Sequence, residues 1–291
     1  MCRLFGMSAG VHPARATFWL LEAPDSLSEQ SRREPDGTGL GWFGDDGRPQ
    51  VDKRPVAAYE DRAFAEDARE RRSRTFLAHV RFASTGGLKP ENTHPFEQAG
   101  RLFAHNGVIG GLDKLEAHLG DHRALVRGDT DSERFFALIT KETEAAGGDI
   151  SAGITAAARW VAAELPVFAI NLVLTTATGL WALRYPDTHE LFVLERPAGG
   201  PAGGRHLDHA SAAGSIRVRS AELAAHPAVV VATERMDENP DWRPLASGQL
   251  LHVGPALEVT TTEAVPSPPA DPLSLADLDA HAAASQAPAP A

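Results

Sequence analysis

A succession of short strands in the second half of the chain is the feature that most restricts its possible folds. From Val167 onward, segments rich in β-branched and aliphatic residues alternate with turn residues: AINLVLTT, GLWALRY, ELFVLER, SIRVRS, AVVVAT and QLLHV. Each segment has the length and composition of a strand. Short strands that follow mixed helix and strand sequence are typical of antiparallel sheets covered by helices.

The first half of the chain supplies that mixture. Apolar residues recur at helical spacing in the second of three candidate helices, where Phe135, Leu138 and Ile139 lie on one face. We predict strands at 3–9, 75–83 and 101–109, a charged surface helix at 61–72, and helices at 112–119, 131–145 and 151–164. The fold class that follows is α+β, with antiparallel sheets beneath layers of helices.

Length and composition restrict the class of protein. A chain of 291 residues can bury a large core, and no domain boundary is evident before its C-terminal segment. The net charge of −11 argues against nucleic acid or an anionic membrane as a partner. A single cysteine excludes an intrachain disulfide framework, and no apolar segment approaches a membrane span. Since no signal peptide is visible either, we expect a cytoplasmic protein.

Two segments lack a regular pattern. Residues 197–214 are rich in Gly and Ala, and we expect a flexible insertion between strands there. Residues 265–291 are rich in Pro and Ala, and this composition predicts a disordered tail, with a brief helix near Leu275. The globular domain is therefore expected to span residues 1–264.

A glycine-rich run at 37–41 permits two interpretations. A dinucleotide-binding loop would be followed by a helix, whereas strand and turn residues follow this run. The sequence therefore favours a glycine-lined strand that another backbone segment approaches closely.

The only cysteine stands at position 2, directly after the initiator Met1. Removal of Met1 would give Cys2 a free α-amino group, whose ordinary pKa of roughly 8 leaves a useful fraction neutral near neutral pH. A neutral amine beside a thiol is a built-in general base for a nucleophile. Alternatively, a cysteine in second position needs no catalytic explanation, so other residues must complete the site.

Three further places offer groups for acyl transfer. Asn106 and Gly107, at a strand end, could donate an amide NH₂ and a backbone N–H to an oxyanion, or form an ordinary Asn-Gly turn. Arg81, in an apolar strand, needs a carboxylate partner, either internal or on a ligand. Asp131 begins a helix, where it complements the helix dipole or receives a substrate ammonium group.

Other chemistries have no matching motif. No HExxH or other compact metal-ligand spacing, no GxxxxGK[ST] phosphate loop and no GxSxG elbow occurs in the chain. We therefore expect no metal and no cofactor.

Taken together, the motifs resemble the class II glutamine amidotransferase domain of the N-terminal nucleophile hydrolases. The similarity runs from Cys2 to about Gly254 and is greatest with the stand-alone, single-domain branch that includes the γ-glutamyl hydrolase of ergothioneine biosynthesis. It rests on Cys2, His79–Gly86, Asn92–Phe96, His105–Gly107 and Thr130–Glu133. The resemblance implies a four-layer αββα sandwich with two antiparallel sheets between helical layers.

The resemblance also implies a role for each matching residue. Cys2 would be the nucleophile and its freed amine the base, while Asn106 and Gly107 would form the oxyanion hole. The substrate α-carboxylate would be held by Arg81, with Ser84 and Thr85 beside it, and the α-ammonium by Asp131. His94 lies in a motif that shapes the pocket and receives no chemical role.

The implied activity is hydrolysis of the γ-amide of glutamine or of a γ-glutamyl compound through a γ-glutamyl thioester, with release of glutamate. The implied partners are a small γ-glutamyl substrate and, in one alternative, a separate synthase that accepts ammonia. A second alternative is a glutamine sensor that uses the same residues to bind without turnover.

Overall fold

The computed structural model of the chain describes residues 2–83, 86–199, 208–210, 217–219 and 225–286. In these ranges the helices are α1 Leu27–Gln30, α2 Arg62–Glu70, α3 Leu112–Leu119, α4 Asp131–Ala145, α5 Ile150–Glu164 and α6 Ala280–Gln286. Short 3₁₀ or π segments occupy Phe18–Glu22, Pro90–Asn92, Gly120–Leu125 and Leu275–Asp277. Side chains cap several helix starts: Thr130 accepts a hydrogen bond from the N–H of Glu133 at the start of α4.

The strands in the described ranges are numbered in chain order. They are β1 Arg3–Ser8, β2 Gly37–Phe43, β3 Pro49–Arg54, β4 Thr75–Arg81, β5 Phe96–Gln98, β6 Arg101–Ile109, β7 Pro166–Thr175, β8 Leu180–Leu183, β9 Phe192–Arg196, β10 Asp208–Ala210, β11 Arg217–Arg219, β12 Ala228–Ala232, β13 Arg243–Pro244, β14 Gln249–Val253, β15 Val259–Glu263 and β16 Asp271–Pro272.

Two large sheets carry most of these strands. The first sheet has the order β13-β9-β12-β1-β4-β2-β3, and all its pairings are antiparallel. The second sheet has the order β15-β14-β8-β7-β6-β5, also antiparallel, with β16 added in parallel at the start of β7. A separate two-stranded ribbon pairs β10 with β11.

Three apolar layers hold the sheets and helices together. Between the sheets lies an aliphatic layer that includes Leu4, Leu77, Leu102 and Val173. The outer face of the first sheet packs against α2 and the Phe18–Glu22 turn, and the outer face of the second packs against α3, α4 and α5. The molecule is therefore an αββα sandwich, and the predicted fold class is confirmed.

The glycine run at 37–41 lies on strand β2, and the interpretation as a glycine-lined strand is confirmed. A Cβ at Gly39 would collide with the carbonyl oxygen of His94, and one at Gly41 would press on Leu102 and Pro95. These inward positions must be glycine because the segment that contains His94 and Pro95 crosses directly over β2.

The predicted disordered tail is wrong for residues 265–286. These residues form β16, the Leu275–Asp277 turn and α6, and Val265, Ala282 and Gln286 are buried. Composition alone pointed to disorder, but scattered apolar side chains such as Leu273 and Leu278 pack against the domain. Residues 287–291, and most of the insertion predicted at 197–214, lie outside the described residues.

Candidate active site

Cys2 lies just before β1, at the end of the space between the two sheets, and its side chain is buried. The N–H of Phe82 donates to Sγ at 3.3 Å, and the thiol lies 3.3 Å from the Phe82 carbonyl oxygen, to which it donates. Burial raises the pKa of the Cys2 thiol, an effect that the Phe82 backbone hydrogen bond and the charge of Arg81 oppose and the charge of Glu34 reinforces. The thiol is therefore held in its protonated form, and nucleophilic attack requires a base to take its proton.

Arg81 is the last residue of β4, and the strand register places it next to Cys2. Arg3 of β1 is paired with Val80, so Cys2 comes level with Arg81, and Gly37 of β2 is paired with Arg81 on the other side. The guanidinium donates to the carbonyl oxygens of Gly86 at 3.3 Å and Gly87 at 3.2 Å.

The charges around Arg81 bring the predicted groups together. Burial lowers the pKa of the Arg81 guanidinium, while electrostatic interactions with Cys2, Asp36 and Asp131 raise it. The thiol and two carboxylates thus lie near enough to one guanidinium to influence it, and all belong to the same polar end of the sandwich.

Asn106 and Gly107 lie in strand β6 of the second sheet and face Cys2 across the space between the sheets. The Asn106 amide donates to the carbonyl oxygen of Cys2 at 3.0 Å, although 104 residues separate the two. Its Oδ1 atom is buried and has no hydrogen-bond partner among the described residues. Gly107 has φ +153°, and a Cβ there would collide with the Ala169 carbonyl oxygen, so no side chain can be added. The pair is not a surface turn, which corrects the simpler of the two interpretations.

Asp131 is the first residue of α4 and ties this helix to the end of β6. Its Oδ2 atom accepts from the N–H of Ile109 at 2.9 Å, and Oδ1 accepts from the N–H of Ser132 at 2.9 Å. Asp131 therefore begins α4, as one of the two interpretations of the sequence predicts. Each carboxylate oxygen can accept more than one hydrogen bond, so a role toward a substrate ammonium group is compatible with these contacts and stays a prediction.

Ser84 and Thr85 lie outside the described residues, but the segments on either side of them are fixed. The N–H of Ala83 donates to the Asp36 carboxylate at 2.8 Å. On the far side, the Asn92 amide donates to the Gly87 carbonyl oxygen at 3.1 Å.

Two contributors to the site were not identified from the sequence. Asp36 lies beside Arg81 and holds the backbone of Ala83, and the only sequence signal for it is an acidic residue directly before the glycine run. Phe82 contacts the Cys2 sulfur through its backbone, so its residue type carries no signal.

Arg3, which is buried next to Cys2, forms ion pairs with Glu34 at 3.3 Å and Glu234 at 2.6 Å.

A pair of buried histidines lies deeper between the sheets. The ring centroids of His79 and His94 are 4.2 Å apart, and none of their ring nitrogens has a hydrogen-bond partner among the described residues. Burial lowers the pKa of His79 to about 3, with the charge of Arg81 adding to the effect, and lowers the pKa of His94 well below its ordinary value. Both rings are neutral at neutral pH, and neither contacts Cys2 by a hydrogen bond that would make it the general base.

The described part of the chain contains no group of three or more His, Cys, Asp or Glu side chains that could hold a metal ion. Within the same ranges, none of the helices has both the length and the apolar character needed to cross a membrane.

Comparison with known proteins places this arrangement in context. The model of the family described as "Glutamine amidotransferases class-II" matches residues 1–273. The chain is 28% identical over 255 residues to the γ-glutamyl-hercynylcysteine sulfoxide hydrolase of Mycolicibacterium smegmatis, covering 83% of this chain and 92% of that protein. It is 35% identical over 126 residues to the protein MJ1515 of Methanocaldococcus jannaschii, covering 41% of this chain. The match to MJ1515 spans only 34% of that protein's length.

Among solved structures, the fold is similar to the glutamine phosphoribosylpyrophosphate amidotransferase of B. subtilis. The TM-score is 0.63 at 17% sequence identity, covering 92% of this chain and 50% of that one. At this identity the likeness concerns the fold alone.

Proposed function

The chain belongs to the class II glutamine amidotransferases, and we propose that it is an N-terminal cysteine amidohydrolase. Its substrate is the γ-amide of glutamine or of a γ-glutamyl compound, and its product is glutamate. The M. smegmatis relative, whose name describes hydrolysis of a γ-glutamyl compound, supports this choice because it aligns with most of this chain.

The observation that best supports the proposal is the direct hydrogen bond, 3.0 Å long, between the Asn106 amide and the carbonyl oxygen of Cys2. It joins the residue directly before β1 of the first sheet to β6 of the second sheet, at the place where Arg81 lies beside Cys2. A nucleophile, an amide donor and a buried cation at one end of a single gap are the groups that acyl transfer from a charged amino acid requires.

The reaction begins after removal of Met1, which gives Cys2 its own α-amine as general base. The amine takes the thiol proton while the sulfur bonds to the γ-carbonyl carbon, whose oxygen becomes an oxyanion held by Asn106 and the Gly107 N–H. As the tetrahedral intermediate collapses, the carbon–nitrogen bond breaks and the protonated α-amine gives its proton to the leaving nitrogen. A γ-glutamyl thioester remains.

Water completes the turnover. The α-amine takes a proton from the attacking water, and the second tetrahedral intermediate expels the Cys2 thiolate and releases glutamate. The amine then returns a proton to the thiolate, so that the free Cys2 thiol is restored. Because burial raises the pKa of this thiol, the base is needed in each half of the cycle.

Substrate orientation follows from the two charges of an α-amino acid. The Arg81 guanidinium holds the α-carboxylate, assisted by Ser84 and Thr85, and Asp131 receives the α-ammonium. A planar guanidinium grips a carboxylate through two parallel hydrogen bonds, which fixes the orientation of the glutamyl group as well as its charge.

The test is glutamate release by the purified protein from glutamine and from the narrow amide γ-glutamylmethylamide, with intact mass used to verify that Met1 is absent. We expect release without any second protein, loss of release in Cys2→Ala, and full release in the control Val11→Ala, whose side chain is exposed. Retained hydrolysis in Cys2→Ala would refute the assignment. Hydrolysis only in the presence of a synthase would instead favour the ammonia donor, and tight glutamine binding without turnover would favour the sensor.

A further inference from the structure

The C-terminal segment 273–286 packs against the oxyanion side of the candidate site. The N–H of Leu273 donates to the Val167 carbonyl oxygen at 2.9 Å, which fixes the start of the segment to β7. Leu273 and Leu278 then pack against Val108, Phe168 and Ala169. Val108 directly follows Gly107, and Ala169 is its partner in the register between β6 and β7.

The same segment also reaches the nucleophile side. The rings of His281 and Phe82 lie 6.0 Å apart between centroids. Phe82 is the residue whose N–H and carbonyl oxygen both contact the Cys2 sulfur. Segment 273–286 therefore touches the immediate neighbours of the nucleophile and of the oxyanion donors.

The end of the segment is anchored rather than loosely laid on the surface. The side chain of Gln286 is buried and accepts a hydrogen bond from Nε2 of His189 at 2.8 Å, while its amide donates to Ser285 at 3.1 Å. Burial lowers the pKa of His189 to about 4, with the hydrogen bond to Gln286 opposing the shift and the charge of Arg3 adding to it. His189 is thus a neutral donor at neutral pH, which suits the amide oxygen of Gln286.

The loop that contains His189 is itself joined to the site. The carbonyl oxygen of His189 accepts a hydrogen bond from the Asn171 amide at 3.2 Å. Asn171 is paired with Asn106 in neighbouring strands of the second sheet. The anchor of segment 273–286 consequently rests on the strand next to the oxyanion donor.

From these contacts we propose that segment 273–286 forms a wall of the active-site cleft and limits the size of the group carried by the γ-amide nitrogen. This inference rests on the proposed function for its substrate, but the wall itself is a statement about access to Cys2. Glutamine and narrow γ-glutamyl amides fit beside the wall, and amides with bulky groups on the nitrogen are excluded by it.

Access to Cys2 can be measured without catalysis, because the chain has only one cysteine. Alkylation rates of the protein lacking Met1 are compared for a small reagent, iodoacetamide, and a bulky one, fluorescein-5-maleimide, in the full chain and in a variant that ends at Asp279. We expect the deletion to raise the rate with the maleimide about tenfold or more, and the rate with iodoacetamide less than about twofold. Equal changes in the two alkylation rates, or no change in either, would contradict the proposal that segment 273–286 limits access to Cys2.

Point variants decide the question if the deletion lowers the melting temperature. His281→Ala and Gln286→Ala remove the contact to Phe82 and the anchor to His189, whereas Leu275→Ala changes an exposed side chain of the same segment and serves as the control. We expect the two test variants to raise the rate of Cys2 alkylation by the maleimide more than the rate with iodoacetamide. Both rates in the control variant should match those of the wild type. If neither test variant does so in a folded protein, the segment only stabilises the domain and the inference fails.

The catalytic consequence is measured separately. In a protein that hydrolyses glutamine, the same test variants should raise kcat/KM for γ-glutamyl-p-nitroanilide relative to that for glutamine by about tenfold. Failure of the proposed function would appear as hydrolysis that survives Cys2→Ala, while failure of the wall would appear as an unchanged ratio in an active enzyme.

Discussion

The two ends of the layer between the sheets are built on the same strands but carry opposite chemistry. At one end, Leu4 of β1, Leu77 of β4, and Val173 of β7 pack as an aliphatic core. At the other end, the inward-facing side chains of the same strands are polar or reactive. They are Cys2 before β1, His79 and Arg81 on β4, Asn106 on β6 and Asn171 on β7.

This contrast shows where the fold can accommodate polar and reactive side chains. Inward positions of a strand repeat every second residue, so a polar residue there is buried as deeply as a leucine would be. Burial of a polar group without a partner costs free energy, yet the Asn106 Oδ1 atom and both ring nitrogens of His79 lack a partner among the described residues. The apolar end supplies the stability, and the polar end tolerates unsatisfied groups.

Loss of the Asn106 amide should produce the largest effect at the polar end. We expect Asn106→Ala to lower kcat by about 10²–10³-fold, because the proposed mechanism uses this amide as one of two oxyanion donors. The protein should remain folded, since among the described residues the only side-chain hydrogen bond lost is the one to the Cys2 carbonyl oxygen. Steady-state glutamate release and a thermal melt measure the two quantities. A wild-type kcat in this variant would show that Asn106 is not an oxyanion donor.

A cavity at the apolar end should lower the stability of the protein and leave its activity unchanged. Leu77 is fully buried in the layer between the sheets. We expect Leu77→Ala to lower the free energy of unfolding by about 3 kcal/mol while kcat per folded molecule stays near the wild-type value. Urea denaturation measures the loss, and Val56→Ala, at an exposed position, provides the control. If Leu77→Ala reduced kcat as strongly as Asn106→Ala, the two ends could not be treated as separate.

The sequence was sufficient for features that are encoded locally. The strand at 101–109 and the helices at 112–119 and 131–145 have the predicted bounds, since each shows either helical periodicity or a run of strand residues between turns. The four-layer architecture came from the family resemblance and is borne out.

Contacts between distant segments could not be predicted in the same way. The role of Asp36 depends on the backbone of Ala83, 47 residues away, and nothing local in the sequence announces that contact. The prediction for the C-terminal segment is wrong for a related reason. Its Pro- and Ala-rich composition is typical of a disordered segment, and the surface that contacts Leu273 and Leu278 is formed by residues of β6 and β7. Where a segment docks is a property of the assembled sheets.

The smallest expected effect concerns the pH dependence of stability and tests whether the polar end weakens the fold. Folded His79 has its pKa lowered to about 3, whereas an unfolded histidine has its ordinary value of about 6.5. Between these values the unfolded chain binds a proton that the folded protein does not, so the stability associated with neutral His79 is fully present above pH 6.5 and is lost as the pH falls toward 3.

Replacement of His79 by glutamine should flatten that dependence. Each histidine that titrates only when unfolded contributes a slope of up to about 1.4 kcal/mol per pH unit, so wild type should lose about 1.5 kcal/mol more than His79→Gln between pH 6.5 and pH 5.0. Urea denaturation at these two pH values measures the change, and the difference between the proteins at pH 8 isolates the packing cost of the substitution. Parallel pH profiles would mean that His79 gains a proton or a partner in the folded state, and the polar end would then be less costly than its unpartnered ring nitrogens indicate.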